Sequence, residues 1–136
     1  MEGPGLHAYL SYRDAAAALG WLTATGFEVV ARQDDADGAV VHAEVRLGSV
    51  VLMVATADVD YDRPRLLGRS TGDGLYLWFD RGEAVDDWFE RAVAAGARAV
   101  IEPEDTEWGT RRARVLDPEG KEWSTGTYRP GTTRSG

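Results

Sequence analysis

The feature of this sequence that most constrains its fold is an internal repeat. Three pairs of apolar residues recur at a spacing of 67 positions: Leu10 and Leu77, Tyr12 and Phe79, and Trp21 and Trp88. Each copy has the pattern of a strand followed by an alanine-rich helix, which ends at Gly26 in the first copy and at Gly96 in the second. A unit that recurs within a chain must bury its apolar face against its copy or another partner. The repeat therefore predicts two copies of one structural unit.

Each predicted helix carries its own boundary signals. In the first copy Asp14 is a good N-cap, residues 15–18 are all alanine, and Gly26 can adopt the left-handed conformation after the last turn. The second copy has one apolar stripe at helical spacing, formed by Val85, Trp88, Phe89, Ala92 and Ala95. Because large aromatic rings on such a stripe are usually buried, we expect Trp21 and Trp88 in the core.

Alternating segments after each helix predict β-strands. The predicted strands are 27–32, 41–47 and 50–55 in the first copy, and 97–102, 112–116 and 121–127 in the second. Gly48 and Gly120 mark the hairpin turns. Both copies thus predict the order β-α-β-β-β and an α+β fold class. We expect a single domain with a first module at about 6–55, a linker at 56–73, a second module at about 74–130 and a tail at 131–136.

Composition excludes several classes of function. No apolar run approaches the ~20 residues of a membrane span, and the amino-terminal residues lack the pattern of a signal peptide. A formal net charge of −8 opposes nucleic-acid binding, and the absence of cysteine removes thiolate chemistry and disulfides. We therefore expect a cytoplasmic protein that binds neither membranes nor nucleic acids.

Three stretches resemble the vicinal-oxygen-chelate superfamily, which includes glyoxalases, bleomycin-resistance proteins and dioxygenases, and in particular its uncharacterised bacterial branch. They are residues 9–28, which contain Tyr-Leu-Ser-Tyr-Arg-Asp-Ala, residues 42–48, and residues 117–128, which begin with Asp-Pro-Glu-Gly. The resemblance spans roughly residues 7–130. It implies the glyoxalase/bleomycin resistance fold, in which each module forms a cupped mixed sheet with its helix outside and a ligand cavity inside.

Strand alternation predicts which side chains face that cavity. If Leu10, Tyr12, Leu77 and Phe79 pack under the helices, their neighbours along the strands face the other way. By the same alternation Val41, Ala43, Val45 and Trp123 belong to the core. The predicted ligand-binding residues are His7, Tyr9, His42, Glu44, Tyr76, Trp78, Arg114, Glu122 and Ser124, with Trp108 added from a loop. The run Arg111, Arg112 and Arg114 is more typical of a solvated strand edge than of an anion site.

The resemblance also implies four metal-ligand positions, one on each of four strands. They fall on His7, on Leu52 or Met53, on Gly74 and on Ser124, so that only the first provides a usual ligand. An unorthodox site formed by His7, His42, Glu44 and Glu122 is the alternative. We predict neither a metal nor another cofactor.

These features favour a small-molecule binding protein without assigned catalytic residues, as in the members that sequester antibiotics such as bleomycin. We expect a homodimer and a cationic or aromatic ligand, because Tyr76, Trp78 and Trp108 could stack on it and Glu44 and Glu122 could meet positive charge. The alternative is an enzyme, either a metal-dependent lyase, isomerase or dioxygenase, or an acid–base catalyst that uses His7 or Glu122.

The ligand positions generate a prediction about metal content. Protein purified without chelators should contain no stoichiometric Zn, Mn, Fe, Ni or Co, because one ligand of four cannot hold a catalytic divalent ion. Elemental analysis measures this directly, and chelator should leave the melting temperature unchanged. About one equivalent of a transition metal would contradict the prediction and favour the enzyme.

Overall fold

The computed structural model describes residues 3–60 and 69–131, which form two compact units, one on each side of the gap. The central part of the predicted linker, 61–68, and most of the predicted tail, 132–136, lie outside the described residues.

The first unit is a four-stranded mixed sheet with one helix. Its elements are β1 (Tyr9–Tyr12), α1 (Ala15–Ala24), β2 (Glu28–Asp34), β3 (Val40–Leu47) and β4 (Val50–Thr56). The strand order is β1-β4-β3-β2, with β1 parallel to β4 and the other pairs antiparallel.

The second unit repeats this topology. Its elements are β5 (Gly74–Trp78), α2 (Gly82–Ala94), β6 (Arg98–Asp105), β7 (Arg111–Leu116) and β8 (Glu122–Gly126). The order is β5-β8-β7-β6, again with one parallel pair, β5 and β8. The predicted pair of βαβββ modules and the α+β class are confirmed. Neither helix in the described ranges is long and apolar enough to cross a membrane.

The helices form for the reasons that the sequence indicates. The Asp14 side chain accepts a hydrogen bond of 3.0 Å from the backbone N–H of Ala17, and Gly26 has φ 109° just after the C-cap. Trp21 and Trp88 are buried, and the Trp88 ring centroid lies 6.1 Å from that of the buried Trp123. Both predicted core tryptophans are therefore buried, and Trp123 is in the core as its alternation predicts.

The prediction that Val41 lies in the core is wrong, because its neighbour Val40 is buried instead. Val40 is 1% exposed, whereas Val41 is 50% exposed. The β2–β3 register shifts between the pairs Gln33–His42 and Asp34–Val40, so Val41 occupies a bulge. An extra residue in one strand reverses the side-chain alternation beyond it, which brings Val40 under the helix in place of Val41. The prediction holds on the other side of the bulge, where Ala43 and Val45 are buried.

The β7–β8 hairpin is organised around the carboxylate of Asp117. One oxygen accepts hydrogen bonds of 3.0 Å from the backbone N–H groups of Glu119 and Lys121, and the other accepts one of 3.1 Å from Nε1 of Trp123. Asp117 and Trp123 are both buried. The Asp-Pro-Glu-Gly sequence thus joins a tight turn to the aromatic core of the second unit.

This arrangement predicts that Asp117→Ala is strongly destabilising. Removal of the carboxylate leaves three N–H donors without their acceptor, which should lower the free energy of unfolding by about 3 kcal/mol. Urea denaturation followed by circular dichroism measures the change. Asp87→Ala, on the exposed surface of α2, removes the same charge and should change stability by only about 0.5 kcal/mol. Equal effects of the two substitutions would contradict this account of the hairpin.

Candidate ligand-binding site

The candidate site is the face of the second sheet that lies opposite α2. Leu77, Ala113, Val115 and Trp123 are buried on the helix side, so their strand neighbours point to the other side. We call that side the open face. The strand register arranges its side chains in two rows across β5, β8 and β7, one of Tyr76, Ser124 and Arg114, the other of Trp78, Gly126 and Arg112.

One end of the open face carries a cleft of 410 Å³, which we call the aromatic cleft. Its lining residues are Tyr76, Thr106, Trp108, Thr110, Arg111, Arg112 and Tyr128. Trp108 is 68% exposed, and the Tyr76 and Tyr128 rings are also exposed. Two predicted ligand-binding residues, Tyr76 and Trp108, therefore line one cleft. Tyr128 is not among the predicted ligand-binding residues. It lies two residues beyond Gly126, so the alternation of β8, if continued past the end of the strand, places it on the same face.

The loop between β6 and β7 fixes the position of Trp108. Thr106 and Thr110 are joined by a hydrogen bond of 2.7 Å between their hydroxyls and by another of 2.8 Å from the Thr106 N–H to the Thr110 carbonyl. The N–H of Trp108 donates to the Thr106 hydroxyl at 3.3 Å. A closed turn of this kind holds the backbone at the edge of the sheet and leaves the indole exposed to solvent.

Tyr76 crosses the sheet over a glycine. Its hydroxyl donates a hydrogen bond of 2.6 Å to the carbonyl oxygen of Tyr128. A Cβ atom at Gly126 would lie 2.6 Å from this hydroxyl and 3.1 Å from the Arg111 carbonyl oxygen, so only glycine leaves room for the ring. Burial raises the pKa of Tyr76 above its ordinary value of 10.0, so the phenol remains a proton donor at neutral pH.

Trp78 is held by the segment that follows β8. Its Nε1 donates to the Thr127 carbonyl oxygen at 3.1 Å, and the Arg129 guanidinium carbon lies 4.8 Å from the ring centroid. Trp78 is on the open face as predicted, but it does not line the aromatic cleft, and a cation of its own chain covers its ring.

A second cleft of 240 Å³, the polar cleft, adjoins the first on the open face. Arg114 crosses it, donating from Nε to the Ser124 hydroxyl at 2.7 Å and from Nη1 to the Ser70 hydroxyl at 2.6 Å. The Glu122 side chain is 8% exposed, with one oxygen 3.7 Å from Nε of Arg114. Its other oxygen accepts a hydrogen bond of 2.6 Å from the N–H of Thr71. Glu122 therefore holds the segment before β5 against β8.

The interpretation of the three arginines as a solvated strand edge is wrong, because β7 lies between β8 and β6. Arg112 donates to Glu104 on β6 at 2.8 Å. Arg111 donates to Asp86 on α2 at 2.7 Å and to Asp105 at 3.0 Å, and these hydrogen bonds raise its pKa. Arg111 and Arg112 therefore form ion pairs with neighbouring elements, and all three arginines line the clefts.

The remaining predicted residues lie in the first unit. His7 Nδ1 is 2.9 Å from the Val51 carbonyl oxygen, and His42 Nε2 is 2.8 Å from a Glu44 carboxylate oxygen. Tyr9 is highly exposed. Within that sheet Met53 pairs with both Tyr9 and Glu44, which places these two in one row.

The residues at the implied metal positions do not fit a metal ion. A Cβ atom at Gly74 would lie 2.7 Å from the Glu122 carbonyl oxygen and 2.9 Å from its Cβ, so no ligand side chain can be placed there. The Ser124 hydroxyl lies 2.7 Å from a guanidinium nitrogen, whose charge repels a dication. Within residues 3–60 and 69–131, no three His, Asp or Glu side chains form a group that could hold a metal.

Comparisons with known proteins agree with this architecture. No curated protein matches the chain significantly. Among solved structures, TioX from Micromonospora sp. ML1 is 29% identical and has a TM-score of 0.70, with 93% of this chain and 100% of that chain covered. A protein from Bacillus cereus described as a putative 3-demethylubiquinone-9 3-methyltransferase, PhnB protein, is 17% identical with a TM-score of 0.72, covering 90% of this chain and 98% of that one.

A third structure comes from a protein described as a glyoxalase/bleomycin resistance protein/dioxygenase family enzyme of Burkholderia phytofirmans PsJN. It is 18% identical with a TM-score of 0.64, over 88% of this chain and 94% of that chain. The model of the Glyoxalase/Bleomycin resistance protein/Dioxygenase superfamily matches residues 6–125. Since the match covers most of the chain, the protein belongs to this superfamily.

Proposed function

We propose that this protein binds a planar aromatic small molecule on the open face of its second sheet, and that it sequesters the molecule, for example an antibiotic, rather than transforming it. The observation that carries the proposal is the aromatic cleft, where Tyr76, Trp108 and Tyr128 surround 410 Å³. Small-molecule sites are commonly clefts of this size with apolar and aromatic walls and few polar groups. Exposed apolar side chains that cluster in one patch, unlike single ones, commonly mark a binding site.

Binding is favoured over catalysis at this site because Glu122, the candidate reacting group on the second sheet, is engaged in the fold. One oxygen of Glu122 accepts from Thr71, and the other is near Arg114. A general acid or base needs a free atom within hydrogen-bond reach of the substrate, which these partners deny to the Glu122 carboxylate. His7, whose Nδ1 bonds to the backbone of β4, lies in the first unit and lines neither cleft. Three of the four implied metal-ligand positions carry no usual ligand, which also favours binding over metal-dependent catalysis.

We also propose that the two modules belong to a single domain that acts in the cytoplasm as a homodimer. The prevalence of two-fold symmetric dimers among soluble oligomers supports this assembly.

The aromatic cleft predicts which tryptophan a ligand depends on. Bleomycin and a panel of planar aromatic antibiotics would be screened by thermal shift, because a ligand of the native state raises the melting temperature. For each compound that binds, Trp108→Ala should weaken affinity about three- to tenfold, as expected for loss of one aromatic stacking contact. Titration of tryptophan fluorescence gives the dissociation constants.

Two other tryptophans serve as matched controls. Trp78→Ala should weaken binding less than Trp108→Ala, since Arg129 already covers the Trp78 ring. Trp88→Ala should lower stability by about 3–5 kcal/mol through a core cavity. If Trp108→Ala binds every compound as the wild type does, or if no compound in the panel binds, the proposed site is wrong.

The assembly has a separate test. Light scattering at micromolar concentration should give twice the 14.8 kDa mass of the chain. A monomer mass over the whole concentration range would contradict the homodimer while leaving the ligand site untouched.

A further inference from the structure

The aromatic cleft and the polar cleft are parts of one continuous surface. They share Tyr76 and Arg112 among their lining residues. Tyr76, Ser124 and Arg114 stand side by side on three neighbouring strands, which are about 4.8 Å apart in a β-sheet. If an aromatic ring of a ligand lies against Tyr76, a substituent attached directly to that ring can therefore reach Ser124 on β8 and Arg114 on β7.

The hydrogen bonds of the polar cleft leave donors available. Arg114 uses Nε for Ser124 and Nη1 for Ser70, and Nη2 has no hydrogen-bond partner among the residues that the structure describes. Because the Ser124 oxygen accepts from Arg114, its own proton must point to another acceptor. The Arg114 side chain is only 29% exposed, so an approaching group would be partly removed from water.

We propose that the ligand carries a carboxylate, or an equivalent planar anionic group, which accepts hydrogen bonds from Arg114 Nη2 and the Ser124 hydroxyl while its aromatic body lies against Tyr76 in the aromatic cleft. This inference rests on the proposed function and names the chemical class of its ligand, an aromatic acid. A hydrogen bond from Nη2 of the guanidinium to a carboxylate is charge-assisted, and such bonds are stronger than neutral ones.

The carboxylate that lines the polar cleft is already committed to other partners. One oxygen of Glu122 bonds to Thr71, and the other lies 3.7 Å from Nε of Arg114. A cationic ligand would have to compete with these partners, whereas an anionic ligand would complete the hydrogen bonding of Arg114. The acidity of the whole chain, −8, slows the approach of an anion but does not act on its short-range hydrogen bonds.

Three probes with one ring system and different charges test the inference. Binding of 2-naphthoate, 2-naphthamide and 2-naphthylmethylammonium to the full chain would be measured by NMR titration of the protein. In the wild type 2-naphthoate should bind about tenfold more tightly than the ammonium compound, as one charge-assisted hydrogen bond predicts. Arg114→Gln should reduce this preference to within about twofold, and Ser124→Ala should weaken 2-naphthoate several-fold.

Arg91→Gln is the control, because it removes one positive charge from the exposed surface of α2, and it should leave the order of the probes unchanged. Circular dichroism of each variant verifies the fold, and Ser124→Ala keeps the test valid if Arg114→Gln is unstable. Equal binding of all three probes, stronger binding of the ammonium compound, or a preference that persists in both cleft variants would overturn the carboxylate inference and leave the aromatic site standing. Failure of all three probes to bind would overturn the aromatic site as well.

Discussion

The constraint on which this structure depends is the division of each four-stranded sheet into a face covered by a helix and a face that is not. In the second unit Trp88 on α2 packs against Trp123 on β8 on the covered face, and the Trp123 Nε1–H donates a hydrogen bond to Asp117. Burial of these rings supplies the apolar area that stabilises the unit. Because side chains alternate along a strand, a residue next to a core position is necessarily directed to the opposite face. The positions that the core occupies along each strand therefore determine which residues lie on the open face.

Two glycines shape that site because they have no side chain. A Cβ atom at Gly126 would lie 2.6 Å from the Tyr76 hydroxyl, and one at Gly74 would lie 2.7 Å from the Glu122 carbonyl oxygen. The first absence allows an aromatic ring to cross the sheet, and the second lets a buried carboxylate tie the segment at Thr71 to β8. The same position that the superfamily resemblance implies for a metal ligand is therefore used to order the chain.

The electrostatics of the site differ from those of the whole chain. The protein is strongly acidic, yet β7 places Arg112 and Arg114 side by side on the open face. Hydrogen bonds to Glu104, Ser124 and Ser70 hold the guanidinium groups in place. Since hydrogen bonds act over a few ångströms and the net charge acts through screened solvent, the proposed ligand class rests on the local arrangement and not on the net charge.

The sequence by itself determined the repeat, the α+β class, the start of α1, the core tryptophans and the face of most strand residues, because these depend on local periodicity and on capping residues such as Asp14. It also pointed to Tyr76 and Trp108. Only the tertiary structure decided that Val41 lies in a bulge, that β7 is an interior strand, that Arg129 covers Trp78 and that Glu122 is occupied by Thr71. These facts depend on strand register and on contacts between residues as many as 51 positions apart, and no local pattern in a single chain encodes such pairings.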